Sequence, residues 1–216
     1  MKFSNETIGV LKNFATINPS IVFKPGSVVR TISPQKTVMA AATITETVGQ
    51  QAGVYDLSRL LATLSLFENA EVDFGSDRFT IKGGKSQVNY TYTSESLIVS
   101  PPDKDIVVPD PEATVNVTWQ DIDSVIRATG VLQLPEVAFS SDGSTIKLSA
   151  VDSKTSTADK YEVVVAEGVE TEPFNMIIKT DNLKLVPTDY EVTLSSKGMA
   201  HFKSDVVQYW IAIESR

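Results

Sequence analysis

A lone histidine, a run of acids, a glycine pair between lysines and four spaced basic residues are the groups in this 216-residue sequence whose types and spacing could carry chemistry. His201 is the single histidine, and there is no cysteine. That composition removes thiolate nucleophiles, disulfides, Cys-ligated metals, multi-His zinc sites and two-His facial triads. Met199, Ala200 and Phe202 flank His201 beside a glycine turn, so it reads as a sheet-face histidine and not as a general base. Asp103, Asp105, Asp110 and Glu112 could resemble a divalent-cation loop, but prolines interrupt them and the glycine and terminal bidentate glutamate of an EF-hand are missing. They read as a solvated acidic linker. Lys82-Gly83-Gly84-Lys85 is not followed by a helix, so it lacks the N-terminal dipole of a phosphate loop and reads as a hairpin turn. No catalytic set, metal site or cofactor site emerges, and the chain is expected not to be an enzyme.

Lys12, Arg59, Arg127 and Lys184 form the more informative set. Each falls on a predicted helix, on or beside its polar face, as four helices aimed at one polyanion would require. The plain alternative is that exposed helix positions are commonly Lys or Arg. Asp123 and Arg127 also make an i,i+4 pair that would neutralise one of these charges locally.

Helical spacing defines the elements that hold them. Residues 4–16 place Ile8, Leu11, Phe14 and Ala15 on one face behind a Ser4 cap, with Asn5, Gly9, Lys12, Asn13 and Thr16 opposite. Residues 56–66 set Leu57, Leu60, Leu61 and Leu64 against Arg59 and Thr63. Residues 119–129 follow a Thr118 cap, burying Ile122, Val125 and Ile126 and exposing Asp123 and Arg127. A fourth, shorter helix over 180–186 ends at Pro187. Most other segments alternate with period two, including 21–23, 38–44, 79–81, 88–92, 145–150, 161–165, 192–194 and 209–213. Pro25-Gly26, Lys82-Gly83-Gly84, Ser141-Asp142-Gly143 and Lys197-Gly198 lie between strand-like runs and predict hairpin turns, hence mostly antiparallel sheet.

Pro101-Pro102 and Pro109-Asp110-Pro111 mark an extended linker that halves the chain. Across it the order of elements repeats. Val10-Leu11-Lys12 matches Val125-Ile126-Arg127, and Asp56-Leu57-Ser58-Arg59-Leu60 matches Asp181-Asn182-Leu183-Lys184-Leu185. The predicted organisation is one domain over 1–94, a connector over 95–112 and a second, similar domain over 113–216. The fold class is α+β.

Lys and Arg number 19 against 27 Asp and Glu, a net charge of -8, which argues against a tight grip on phosphates. No apolar stretch follows Lys2 of the kind a signal peptide needs, and no window approaches a membrane span. The expected protein is soluble and cytoplasmic, with no membrane partner.

At Leu11-Lys12-Asn13-Phe14-Ala15-Thr16-Ile17-Asn18 the sequence resembles the sliding clamp, the DNA polymerase processivity factor, of T-even-like tailed phages. The similarity continues through Val54-Tyr55-Asp56-Leu57, Leu64-Ser65-Leu66, Arg127 with Gly130-Val131-Leu132-Gln133, and Phe174-Asn175-Met176-Ile177-Ile178. It resumes at Leu183-Lys184-Leu185-Val186-Pro187 with Tyr190 and closes at Tyr209-Trp210-Ile211-Ala212. The resemblance implies a closed homotrimeric ring of DNA-clamp domains, with antiparallel sheets outside and short helices lining a channel around double-stranded DNA.

Under this resemblance Lys12, Arg59, Arg127 and Lys184 face the duplex, with Lys2 and Lys179 as weaker members. It implies a partner-peptide pocket built from Ile32, Val38, Ile106, Val107, Val108, Trp210 and Ala212. Its further partners are a DNA polymerase and an ATP-dependent clamp loader, in the cytoplasm of an infected bacterial host. Ring closure needs free strand edges. The candidates are the strand with Val88, Tyr90 and Tyr92, pairing with the strand of Ile146 and Leu148 in the next subunit. The rival reading is a β-rich virion structural or assembly protein, which has no reason to repeat a basic residue on four helices.

Overall fold

The computed structural model describes residues 1–214, which divide into two compact units, residues 1–104 and 105–214. In the first unit, α1 (Asn5–Ile17) begins where Ser4 Oγ accepts the Thr7 amide at 3.1 Å. It buries Thr7, Val10, Leu11, Phe14 and Ile17, leaving Ile8 and Ala15 only half-buried, so the packed stripe is rotated from the one expected. The chain continues through β1 (Ile21–Phe23), β2 (Gly26–Ile32), β3 (Val38–Val48) and β4 (Ala52–Val54) into α2 (Leu57–Leu64). There Asp56 Oδ1 caps the Arg59 amide at 2.8 Å, and all four leucines are buried as their spacing predicts. A meander of β5 (Glu71–Phe74), β6 (Arg78–Gly83) and β7 (Ser86–Thr91) ends the unit, with strand order β5-β6-β7.

β1 pairs with β4, and β2 with β3. Pro25-Gly26 is therefore not a hairpin turn: it joins two strands with different partners. Gly26 takes φ 116°, a conformation open to glycine without a Cβ clash.

The second unit repeats this order. After β8 (Ala113–Val117) comes α3 (Trp119–Leu132), capped by Thr118 and closed by Gln133 in the left-handed region. It buries Ile122, Val125 and Thr129, while Ile126 stays half-buried. Four strands follow, β9 (Glu136–Ser141), β10 (Thr145–Val151), β11 (Tyr161–Glu167) and β12 (Phe174–Lys179), in the spatial order β11-β10-β9-β12. β13 (Tyr190–Ser195), β14 (Met199–Lys203) and β15 (Val207–Ala212) form the closing antiparallel meander, and β8 pairs with β13. Met1 does for the first unit what β8 does for the second, exchanging two backbone bonds with Val72 of β5.

The fourth predicted helix is absent. Only a single 3-10 turn, Thr180–Asn182, stands where α2 stands in the first unit. Leu183 and Val186 are three apart, but Pro187 takes the i+4 position and ends the segment, which is too short to bury a helical stripe.

Candidate nucleic-acid interface and partner surfaces

Lys12 is exposed on α1, three residues from the exposed Gly9. With Lys2, Ile8, Leu61, Leu64 and Phe67 it lines a groove of about 290 Å³ where α1 meets α2. Lys2 also lies 3.8 Å from Glu71, both side chains being largely exposed, so the pair contributes little. Arg59, exposed on α2, sits with its guanidinium carbon 6.0 Å from the centre of the Tyr90 ring, within cation–π range. The Tyr90 hydroxyl donates to the Asp56 carbonyl at 3.0 Å, fastening β7 to the cap of α2.

In the second unit the basic residues are more engaged. Arg127 makes the expected i,i+4 pair with Asp123 at 2.9 Å. Lys179, at the end of β12, lies 3.3 Å from Glu214. Lys184 is exposed but follows the 3-10 turn, so it is not a helical residue as expected.

The strand edges also differ from expectation. β7 is an outer strand of its three-stranded sheet, with Val88 and Tyr90 half-buried on one face and the half-buried Tyr92 just past its end. β10, however, is paired on both sides, by β9 and β11, and Ile146 and Leu148 are buried in the unit's own core. A strand whose ladder groups are already used cannot add another. The outer strands of the sheet that holds β10 are β11 and β12, and on β11 Tyr161 and Val164 are exposed. Sequence alternation marks β10 and β11 alike, and only the pairing order separates them.

Residues of the pocket reading are spread between core and surface. Val38, 2% exposed, and Ile32, 9% exposed, are buried and offer almost no contact area. Trp210 is buried too, and its Nε1 donates to the Ile106 carbonyl at 2.8 Å. Ile106, Val108 and Ala212 are half-buried, whereas Val107 is 86% exposed.

The acidic linker is not freely solvated: Asp103 pairs with Lys24 of the first unit at 2.6 Å, and the segment from Asp105 on is tied to the second unit. Gln208 donates to Asp105 at 2.8 Å, Ser195 donates to the Pro109 carbonyl, and Glu112 accepts from the backbone and hydroxyl of Ser196. His201, on β14, stacks on Trp210 with centroids 4.7 Å apart and lies 3.0 Å from Gln208. Burial pushes its imidazole below the ordinary range, against the pull of the Gln208 bond and of Asp105 and Glu191. The linker tethers have no sequence signature, because each joins residues some eighty or more positions apart, and no local pattern signals them.

Two family models match the chain: "DNA polymerase processivity factor" over residues 4–100 and "gp45 sliding clamp, C terminal" over residues 114–215. The sliding clamp of Vibrio phage KVP40 is 33% identical over 222 residues, covering all of both chains. That of Escherichia phage RB69 is 30% identical, covering all of this chain and 97% of the relative. Among solved structures, PCNA from Thermococcus kodakaraensis aligns with a TM-score of 0.71 at 13% identity, covering 98% of each chain. The DNA polymerase III beta chain of Streptococcus pneumoniae aligns with a TM-score of 0.72 at 11% identity, over 99% of this chain and 64% of that longer one. The fold is thus shared across clamps of very different sequence. The helix pattern, the paired units and the full-length identity agree, and the chain belongs to the sliding-clamp family of DNA polymerase processivity factors found in T4-like phages.

Proposed function

We propose that this chain acts without catalysis, as a homotrimeric ring that encircles duplex DNA and tethers the replicative polymerase in the cytoplasm of an infected bacterium. The observation that carries the reading is the end-to-end match to proteins named sliding clamps. Each subunit supplies a domain over 1–94, a connector over 95–112 and a domain over 113–216. Two units cannot surround a duplex, but a head-to-tail contact that closes with symmetry can. The free edges β7 and β11 supply such a contact, and Val88, Tyr90 and Tyr92 form its apolar face.

Lys12 and Arg59, with Lys2, Arg127, Lys179 and Lys184 in lesser roles, attract phosphates without reading bases. A deep or sequence-dependent well would stop sliding, so few charges on an acidic body suit the task. Retention is topological. Partner peptides of the polymerase and of an ATP-dependent clamp loader dock on the connector, where Val107 with Ile106, Val108 and Ala212 leaves apolar surface uncovered. The deciding experiment is primer extension on circular DNA with the cognate polymerase, loader and ATP. Product length should rise with this protein present; no change in length would defeat the reading.

A further inference from the structure

His201, Gln208, Trp210 and the first two connector residues of the second unit form one connected arrangement. Asp105 offers only acceptors, so the Gln208 amide must turn its NH2 toward that carboxylate, as it does at 2.8 Å. The Gln208 carbonyl oxygen then faces His201 Nε2 at 3.0 Å and needs a hydrogen. His201 must therefore carry its proton on Nε2. Its ring lies 15° from parallel to the Trp210 indole, and that indole holds the next connector residue through the Ile106 carbonyl.

We propose that His201 is a positioning residue for the connector: its Nε2–H orients Gln208, Gln208 holds Asp105, and the stacked Trp210 holds Ile106. The consequence falls on Val107. Its side chain projects almost fully into solvent directly after two pinned residues, so its direction is set before any partner arrives. Ordering the docking segment in advance lowers the entropy lost on binding. Without the Nε2–H donor the amide can rotate, and its carbonyl would then meet the Asp105 carboxylate. Phenylalanine at 201 would keep the stack and lose the donor, whereas glutamine would keep a donor and lose the stack. The proposal rests on the connector being the docking element.

Hydrogen exchange tests the arrangement directly, read at the Trp210 indole N–H, which donates to the Ile106 carbonyl, in a Trp119→Phe background. His201→Phe and Gln208→Ala should each speed exchange about tenfold, the effect of one lost hydrogen bond. The double variant should be no faster than Gln208→Ala alone, and His201→Gln should recover part of the protection. Unchanged exchange in His201→Phe, or additive effects in the double variant, overturns the proposal. A synthetic peptide from the cognate polymerase C-terminus, titrated by fluorescence anisotropy, reads the consequence. His201→Phe should weaken its binding several-fold, and equal binding to wild type overturns the functional half. If wild type binds no peptide while exchange behaves as stated, the docking reading fails and the positioning role stands.

Discussion

Glu46, on strand β3, accepts the hydroxyl proton of Thr7 in the first turn of α1 at 2.5 Å, while its other oxygen takes the Ser4 backbone N–H. A strand carboxylate thus completes the cap of the helix that carries Lys12, at an end where a negative charge also suits the helix dipole. Glu46→Gln should cost about 1 kcal/mol in urea unfolding. Burial pushes the Glu46 carboxyl up, but the hydrogen bonds from Thr7 and Ser4 outweigh it and hold the group below its ordinary value of 4.5. A lowered folded value means that the contribution is fully present above the unfolded value and is lost as pH falls through the folded one. The gap between wild type and Glu46→Gln should therefore be constant near neutrality and shrink below about pH 4.5. A gap that widened in acid would contradict the assignment.

Two glycines should respond in opposite senses to alanine. At Gly53, in β4, an added Cβ would meet the Thr93 carbonyl oxygen at 2.1 Å, the residue whose amide already bonds to Gly53 at 2.9 Å. Gly53→Ala should cost at least about 2 kcal/mol, because backbone and not a flexible side chain must yield. Gly9 lies mid-helix in α1 with nothing within 4 Å of its Cβ position, so Gly9→Ala should gain about 0.5–1 kcal/mol. Chemical denaturation of the two variants checks both signs.

Because the sequence has no cysteine, introduced pairs report the subunit contact cleanly. Antiparallel addition of β11 to β7, with Tyr90 facing Val163 and Tyr92 facing Tyr161, sets Asn89 opposite Val164. Asn89→Cys with Val164→Cys should oxidise to a covalent trimer on denaturing gels. Asn89→Cys with Lys147→Cys should not, since β10 is enclosed by β9 and β11. The reverse pattern would restore β10 as the contact strand.

The three helices are legible in the sequence because each has a side-chain cap and a leucine, isoleucine or valine stripe of period 3.6, features contained within a dozen residues. The duplicated order is legible for the same reason. The fourth helix rests on a short stretch of helical spacing before Pro187 and on Asp181 to Leu185 echoing Asp56 to Leu60, and so short a stretch closes only one 3-10 turn. Tyr161–Glu167 and Thr145–Val151 alternate alike, so which strand is the edge depends on long-range pairing that no window contains. The residues around His201 place it on a strand, yet its partner Gln208 on the neighbouring strand, and through it Asp105, become visible only with the fold.

The uneven engagement of the basic residues predicts an uneven response to charge changes. In the first unit Lys12 is exposed and Arg59 rests on an aromatic ring that leaves its charge intact. In the second, Arg127 lies 2.9 Å from the Asp123 carboxylate, which largely cancels its field beyond a Debye length of about 10 Å at 0.1 M salt. Lys12→Glu with Arg59→Glu should therefore shorten extension products much more than Arg127→Glu, with the trimer intact by light scattering. Asp123→Asn should act the other way. It releases the Arg127 charge at little cost to stability, because an exposed i,i+4 pair contributes only about 0.3–0.5 kcal/mol. The variant should dwell longer on linear duplex with open ends, where topology no longer holds the ring, and the salt dependence of that dwell should steepen by about one unit for each further phosphate that it neutralises. Equal losses from reversal at Lys12 and at Arg127, together with no effect of Asp123→Asn, would mean that ion pairing within the helix does not govern how the cations meet DNA.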